Sequence, residues 1–264
     1  MKRTSIWVII CMLLCLTAGC GERESVELIV FGAASLTETL TTLGDRYVAE
    51  HPDVEIVFNF DSSGTLKTQI QEGAACDIFI SAGQKQMDQL DGAADAEQNC
   101  ILEGSRLDLL ENKVVLAVPE DNPSNIGSFD DLAAGLKSGR MILAMGNADV
   151  PVGQYTRKIL EYYGLSETEL QASGAVTYGS NVREVTIQIS EGTVDCGIIY
   201  QTDAYTFGLT AVDVATEEMC GRVIYPAALL QNARNSAAAQ DFLAYLTGDV
   251  GDAVFSAVGF TPVE

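Results

Sequence analysis

Residues 30–40 have the sequence VFGAASLTETL, and this stretch decides the fold. An apolar run that favours a β-strand stops at Gly32, small residues continue to Ser35, and a helical pattern starts at Leu36. The start of a helix leaves backbone N–H groups unpaired and carries the positive end of the helix dipole. A strand that turns into a helix in this way is therefore a ready place for an anion to bind.

Comparable junctions occur at three later places, Ser62–Thr65, Val150–Gly153 and Ser180–Val182, and Tyr200 ends a further apolar strand pattern. Between them, strand and helix patterns alternate along the chain from Val26 onwards, which predicts an α/β fold with mostly parallel sheets. In such sheets, ligands bind beyond the carboxyl ends of the strands, where the helices start. The sequence thus predicts one anion site assembled from several helix N-termini.

The charge of the chain restricts the possible partners. The 264 residues carry a formal net charge of −22, with 47% hydrophobic and 20% charged residues, which fits a globular protein. Nucleic-acid binding and attraction to an anionic membrane surface both need basic patches, so we expect neither. An anion must then be bound by local donors aimed at one point, because the overall field repels it.

The N-terminus has the pattern of an export signal. Lys2 and Arg3 precede an apolar run over residues 6–16 that is too short to span a bilayer comfortably, and the sequence LTAGC ends at Cys20. This ending resembles the lipobox of bacterial lipoproteins and predicts a signal over residues 1–19 with a lipid on Cys20. The alternative is an ordinary secretory signal with a chance cysteine. Either reading places the mature protein outside the cytoplasm, with a charge of −24 because two cations and no acid are removed.

The cysteines that remain after Cys20 leave the redox state open. Cys76, Cys100, Cys196 and Cys220 permit two disulfides with three possible connectivities. Cys76 and Cys196 lie in apolar strand patterns, which favours small core residues instead. The sequence has no CxxC motif and no cluster of cysteine and histidine, so no metal site is expected.

Seven segments, in order, resemble the molybdate-binding proteins of bacterial ABC importers. The segments are VFGAASLTETL, FDSSGTLKTQIQEGAACDIFISAGQKQMDQL, LAMGNADVPVGQYTRKIL, YGSNVREV, GIIYQTDA, IYPAALL and VGFTPV. The resemblance implies a two-lobed periplasmic-binding-protein fold, type II-like, with the ligand in the cleft between the lobes. We expect residues 20–112 and 225–264 to form the first lobe and residues 113–224 to form the second.

In that family, neutral donors hold a tetrahedral oxyanion: two serine hydroxyls, backbone N–H groups and a tyrosine hydroxyl. Molybdate near neutral pH is fully deprotonated and only accepts hydrogen bonds, so a cage of donors suits it. The resemblance places these donors at Ser35, Ser63, Val152, Val182 and Tyr200.

Three positions depart from the family pattern. Val152 replaces a smaller residue, which would tighten the wall of the site, and Gly64 replaces a hydroxyl residue that is usual after the second serine. Asp61 stands where a small neutral residue is common, and a carboxylate that faced the site would repel a dianion. We therefore expect Asp61 to face solvent or to cap the helix at Thr65. Ser62 competes with Ser63 for the ligand role, and the resemblance favours Ser63.

The resemblance implies a lipid-anchored, monomeric binding protein that captures molybdate, and also tungstate, for an ABC permease, without a cofactor. The rivals are a receptor for sulfate or a small organic anion, an exported hydrolase that uses Ser35 or Ser63, and an effector domain of a transcription regulator. The export signal argues against the hypothesis of a transcription regulator, and so does the lack of a DNA-binding module in the sequence. The hydrolase finds little support, because the sequence has no GxSxG elbow and His51 is its single histidine.

Overall fold

Two β-sheets organise the chain in the computed structural model, which describes residues 25–92 and 99–263. The predicted signal, residues 1–19, and Cys20 lie outside these ranges. The strands are β1 (Val26–Ala33), β2 (Val54–Asp61), β3 (Ile78–Ile80), β4 (Leu107–Asn112), β5 (Val114–Val118), β6 (Leu143–Gly146), β7 (Val176–Gly179), β8 (Cys196–Tyr200), β9 (Thr210–Val214), β10 (Val223–Leu229) and β11 (Thr261–Pro262). The helices are α1 (Thr37–Glu50), α2 (Ser63–Gln71), α3 (Gln84–Asp88), α4 (Phe129–Lys137), α5 (Pro151–Tyr162), α6 (Glu167–Ala172), α7 (Val182–Ser190), α8 (Gln201–Phe207), α9 (Glu217–Cys220), α10 (Ser236–Leu246) and α11 (Asp249–Ala257).

Each sheet is mixed. The first contains six strands in the order β11-β4-β10-β3-β1-β2, with β1 parallel to β2 and β3 and with β10 antiparallel to β3 and β4. The second contains five strands in the order β7-β6-β8-β5-β9, with β6 parallel to β7 and β8 and with β5 antiparallel to β8 and β9. Four strands of each sheet therefore run in one direction; β10 and β11 run against them in the first sheet, and β5 does so in the second.

The chain passes between the two sheets at two places. Only Lys113 separates β4 of the first sheet from β5 of the second, and the return runs from β9 through α9 to β10. Below, the first lobe means the first sheet with its helices, and the second lobe means the second sheet with its helices. Two short crossings therefore join the two lobes. None of the described helices is long and apolar enough to cross a bilayer.

The junction after β1 differs in one detail from the prediction. A 3₁₀ turn over Ala34–Leu36 follows the strand, and α1 starts at Thr37 rather than at Leu36. Gly32 makes this tight return possible, because a Cβ atom there would lie 2.7 Å from Leu40 Cδ1 and 3.0 Å from the Phe60 ring. Strand and helix thus pack closely enough to bring Ser35 to the carboxyl end of the sheet.

The cores of both lobes are aliphatic and aromatic. Cys76 and Cys196 are buried thiols, as their apolar contexts favour, and burial raises the pKa of Cys196 to about 12. Such thiols stay protonated at neutral pH and are poor nucleophiles.

Candidate functional site

A small cavity of about 10 Å³ lies where the two lobes meet. A volume of this size is comparable with one water-sized sphere, so the lobes are closed on each other. A larger depression of about 380 Å³ around Leu102 and Leu243 lies outside this meeting point and is lined mainly by apolar surface. The lining of the small cavity contains all five residues predicted to contact an anion: Ala33, Ala34, Ser35, Asp61, Ser62, Ser63, Ala82, Val150, Pro151, Val152, Val182 and Tyr200.

Ser63 and Ser62 have separate tasks at the start of α2. The Ser62 hydroxyl is the helix cap and accepts the N–H of Thr65 at 3.1 Å. The Ser63 hydroxyl is fully buried and accepts the N–H of Ala82 at 2.9 Å. That bond occupies a lone pair on Ser63 and leaves the hydroxyl proton free to be donated. The geometry therefore favours Ser63 over Ser62 as the donor to an anion.

The starts of α5 and α7 bring backbone N–H groups to the second-lobe side of the cavity. The cap residue of α5, Val150, has no polar side chain, and Pro151 at the first position has no N–H, so the Val152 N–H is among the first unpaired donors of the helix. In α7, the Asn181 side chain caps the helix by accepting the N–H of Glu184 at 3.1 Å. The N–H of Val182, the first helical residue, is not used by this cap. Both helices direct their positive ends towards the cavity.

Tyr200 reaches the cavity from the end of β8. Its hydroxyl donates to the Ala82 carbonyl oxygen across the lobe boundary at 3.4 Å, which is a long hydrogen bond. Burial raises the pKa of Tyr200 well above its usual value, and the nearby Tyr225 and Tyr155 add to this effect. The hydroxyl thus remains a neutral donor, and its long bond to Ala82 is weak enough to be exchanged for a better acceptor.

The expectation for Asp61 is wrong. Asp61 lines the cavity, and its Oδ1 accepts the Ser62 N–H at 2.6 Å and the Asn181 side-chain amide at 3.4 Å. The physical reason is that Ser62 already occupies the cap position of α2, so the carboxylate one residue earlier turns towards the second lobe. Its negative charge is held at the edge of the donor cage by one donor from each lobe.

Further polar contacts, at positions away from the cavity, link the two lobes in the closed arrangement. Arg183 forms an ion pair with Glu38 across the cleft at 2.5 Å and lies over the Phe207 ring at 5.2 Å. Its guanidinium therefore has a structural role and does not line the cavity. The Gln86 amide donates to the Asp149 carbonyl oxygen at 3.4 Å, which adds a second link between the lobes.

Sequence reasoning missed three residues of the site. Ala82 binds both Ser63 and Tyr200, but an alanine carries no signal for a role that its backbone performs. Tyr225 lies 3.0 Å from the Ser35 hydroxyl, and Asn112 lies 3.3 Å from the Tyr225 hydroxyl. Tyr225 is a buried polar residue in an otherwise apolar strand, and this is the sequence signal that could have found it. Asn112 is also buried, but it ends a strand of mixed acidic and apolar character that carries no such signal.

Asp203 is a buried carboxyl group close to this site. Its Oδ2 has no hydrogen-bond partner within the part of the chain that the structure describes. Burial raises the pKa of Asp203 to about 8, and the charge of Glu38 raises it further, whereas Arg183 opposes the shift.

The raised pKa predicts a stability that falls with pH. Between the usual aspartate pKa of about 4 and the raised pKa of about 8, the folded chain keeps the Asp203 proton and the unfolded chain has lost it, so the stability that this group contributes at low pH is lost as the pH rises. We expect Asp203→Asn to flatten the fall in melting temperature between pH 5 and pH 8. Parallel curves for the two proteins, measured by calorimetry across that range, would contradict the prediction.

Comparisons with known proteins identify the family and the fold of the chain. Residues 28–261 match the family described as bacterial extracellular solute-binding protein. The molybdate-binding protein ModA of Haemophilus influenzae is 31% identical over 255 residues, 93% of this chain and 95% of that protein. A Bacillus subtilis protein, YvgL, is 30% identical over 98% of both chains and carries the provisional name of an ABC transporter substrate-binding lipoprotein. The solved periplasmic molybdate-binding protein of Azotobacter vinelandii superposes with a TM-score of 0.77 at 22% identity, covering 90% of this chain and 100% of that one.

These matches extend over both lobes rather than over one motif. The structural similarity confirms the predicted two-lobed periplasmic-binding-protein fold, and the sequence relatives include proteins that are named for binding molybdate. The chain belongs to the family of bacterial extracellular solute-binding proteins.

Proposed function

We propose that the protein captures molybdate, and also tungstate, outside the cytoplasm and delivers it to an ABC permease. The observation that carries the proposal is the convergence of hydroxyl and helix N-terminal donors from both lobes on one small cavity. None of the lining residues that the structure describes is Lys or Arg. A site of this kind binds a dianion through dipoles and hydrogen bonds, and it avoids burying a cation that would be costly in the empty protein.

Donor chemistry supports a fully deprotonated anion as the ligand. Ser35, Ser63 and Tyr200 would donate from hydroxyls, and Val152 and Val182 would donate from the backbone. Phosphate keeps a proton near neutral pH and would need an acceptor in the site. Among the lining residues that the structure describes, Asp61 is the one carboxylate, and its Oδ1 accepts two hydrogen bonds. Its Oδ2 keeps acceptor capacity, so phosphate is the anion whose binding must be compared with that of molybdate.

The placement of the donors supports capture by lobe closure. In this proposal, residues 20–112 and 225–264 form one lobe, and residues 113–224 form the other. An anion that touches donors of both lobes stabilises the closed state by its differential contacts. A lipid on Cys20 would keep the mature protein at the membrane surface near the permease, and the family membership supports the extracytoplasmic location.

The position of His51 opposes the hydrolase alternative. His51 stacks on Tyr47 beyond the C-terminal end of α1, whereas Ser35 precedes the start of that helix. The 14 residues of α1 separate the two by about 20 Å, so His51 cannot act as the base for Ser35.

Titration calorimetry and thermal shift with four anions test the proposal. We expect molybdate and tungstate to bind and to raise the melting temperature, because a ligand that binds only the folded state stabilises it by mass action. Phosphate should leave the melting temperature unchanged. Equal shifts from molybdate and phosphate would overturn the assignment, and a preference for sulfate would favour the rival receptor. Ester hydrolysis that disappears in Ser35→Ala would favour the hydrolase.

A further inference from the structure

A row of buried polar groups extends behind Ser35, away from the cavity. The Ser35 hydroxyl lies 3.0 Å from the Tyr225 hydroxyl, and the Asn112 side-chain amide donates to the same tyrosine oxygen at 3.3 Å. The second N–H of that amide donates to the Thr202 hydroxyl at 2.9 Å. All four side chains are buried, so the bonds form in surroundings where their direction matters.

The orientation of Asn112 is fixed at one end of the row. The Asn112 Oδ1 accepts the N–H of Lys113 at 2.8 Å, which sets the orientation of the amide and turns its nitrogen towards Tyr225. An amide nitrogen can only donate, so the Tyr225 oxygen is the acceptor of this bond. The Tyr225 oxygen keeps a second lone pair and its own proton, so the geometry of its bond to Ser35 allows either hydroxyl to donate. If Tyr225 donates, Ser35 Oγ is the acceptor and Ser35 keeps its own proton for another partner.

We propose that Tyr225 is a positioning residue that makes the Ser35 hydroxyl an obligate donor towards the bound oxyanion. The hydrogen bonds run from Asn112 to Tyr225, from Tyr225 to Ser35, and from Ser35 to the anion. This arrangement favours a ligand that only accepts hydrogen bonds and disfavours one that presents a proton to Ser35. The inference rests on the proposed function, because it concerns how that site selects its ligand.

The row of buried polar groups also includes a residue beside each of the two places where the chain crosses between the lobes. Asn112 is the last residue of β4, immediately before the first crossing, and Tyr225 lies in β10, immediately after the second. Thr202 belongs to α8 of the second lobe. The row that ends at Ser35 therefore includes residues at both crossings and one residue of the second lobe.

Tyr225 also has a structural role, because its ring is buried and packed against other aromatic rings. The test must separate this role from the role of its hydroxyl. Its side chain is fully buried, and its ring makes edge contacts with Tyr200 at 5.6 Å and Phe260 at 5.3 Å between centroids. Burial raises the pKa of Tyr225 well above its usual value, so the hydroxyl stays protonated. Replacement by phenylalanine keeps the ring contacts and deletes only the hydroxyl.

A double-mutant cycle tests the proposal with molybdate affinity as the readout. We expect Tyr225→Phe to weaken binding about tenfold when Ser35 is present and less than twofold in a Ser35→Ala background, since the lost hydroxyl acts through Ser35. Tyr245→Phe is the matched control, because Tyr245 carries a buried hydroxyl without a hydrogen-bond partner in the described ranges and lies outside the cavity lining. Its affinity should equal that of the unmodified protein.

Two results would overturn the inference: an equal loss in both backgrounds, or no loss when Ser35 is present. The melting temperature of each ligand-free variant establishes that it is folded. A failure of the proposed function is seen separately, as the absence of molybdate binding by the unmodified protein. If the unmodified protein binds sulfate instead, the same cycle with sulfate tests the role of Tyr225.

Discussion

Gly64→Ala is expected to lower molybdate affinity at least about 100-fold while leaving the ligand-free protein as stable as before. A Cβ atom at Gly64 would lie 2.2 Å from the backbone oxygen of Asp149 and 2.8 Å from its Cβ. Gly64 belongs to the first lobe and Asp149 to the second. The clash is with backbone atoms, which cannot rotate away, so the closed arrangement cannot form without moving α2 away from the start of α5.

The substitution does not harm the first lobe by itself. Gly64 is the second residue of α2, and alanine is favoured over glycine within a helix by up to about 1 kcal/mol. The measurement is titration calorimetry together with the melting temperature of the ligand-free variant. Gly248→Ala is the matched control, because a Cβ there would meet its neighbours at 3.5 Å or more and φ is −98°. An affinity of Gly64→Ala within threefold of that of the unmodified protein would refute the closure argument.

Gly64 also accounts for a departure from the family pattern. The resemblance implies a hydroxyl residue after the second serine, and its loss could suggest a missing donor. In the structure, the space for any side chain at this position is taken by the backbone of Asp149. The N-terminus of α2 and the backbone of Asp149 lie so close together that only glycine fits between them. The buried Val152 forms the wall of the cavity beside them.

Local patterns were sufficient to predict the residues around the cavity. A strand that ends in small residues before a helix is encoded over about ten residues, so β1, α2, α5 and α7 could be placed and their N-termini named as donors. The structure brings Ser35, Ser63, Val152, Val182 and Tyr200 around one cavity. Their contact with an anion stays a prediction until binding is measured.

What the sequence did not predict depends on weak periodicity or on distant contacts. The sequence patterns did not predict β4 (LDLLEN) and β9 (TAVDV), because both strands mix acidic with apolar residues and are only partly buried. α8 follows Tyr200 without a turn, so no breaker marks its start. The contact of Ser35 with Tyr225 joins residues 190 positions apart, and no local pattern contains it. The two positions expected for Asp61, facing solvent or capping α2, left out its contact with Asn181, which lies 120 residues further along the chain.

Val182→Pro is expected to weaken molybdate binding by about ten- to 100-fold through the loss of a single backbone N–H. Val182 is the first residue of α7, where proline is favoured, and Asn181 before it has the extended conformation (φ −150°, ψ 174°) that a residue preceding proline prefers. The helix should therefore persist. A hydrogen bond to a charged group contributes about 1.5–3 kcal/mol, and 1.4 kcal/mol corresponds to a tenfold change in affinity.

Val182→Ala is the control that separates the N–H from the side chain. It removes most of the buried valine side chain but keeps the backbone donor, so its affinity should stay close to that of the unmodified protein. Equal affinities for the proline and alanine variants, with unchanged melting temperatures, would mean that the start of α7 contributes no donor. Because proline removes no hydroxyl and no charge, a loss confined to Val182→Pro would assign the anion to the backbone of the second lobe. It would also explain how a protein of net charge −22 binds an anion without a basic residue lining the cavity that the structure describes.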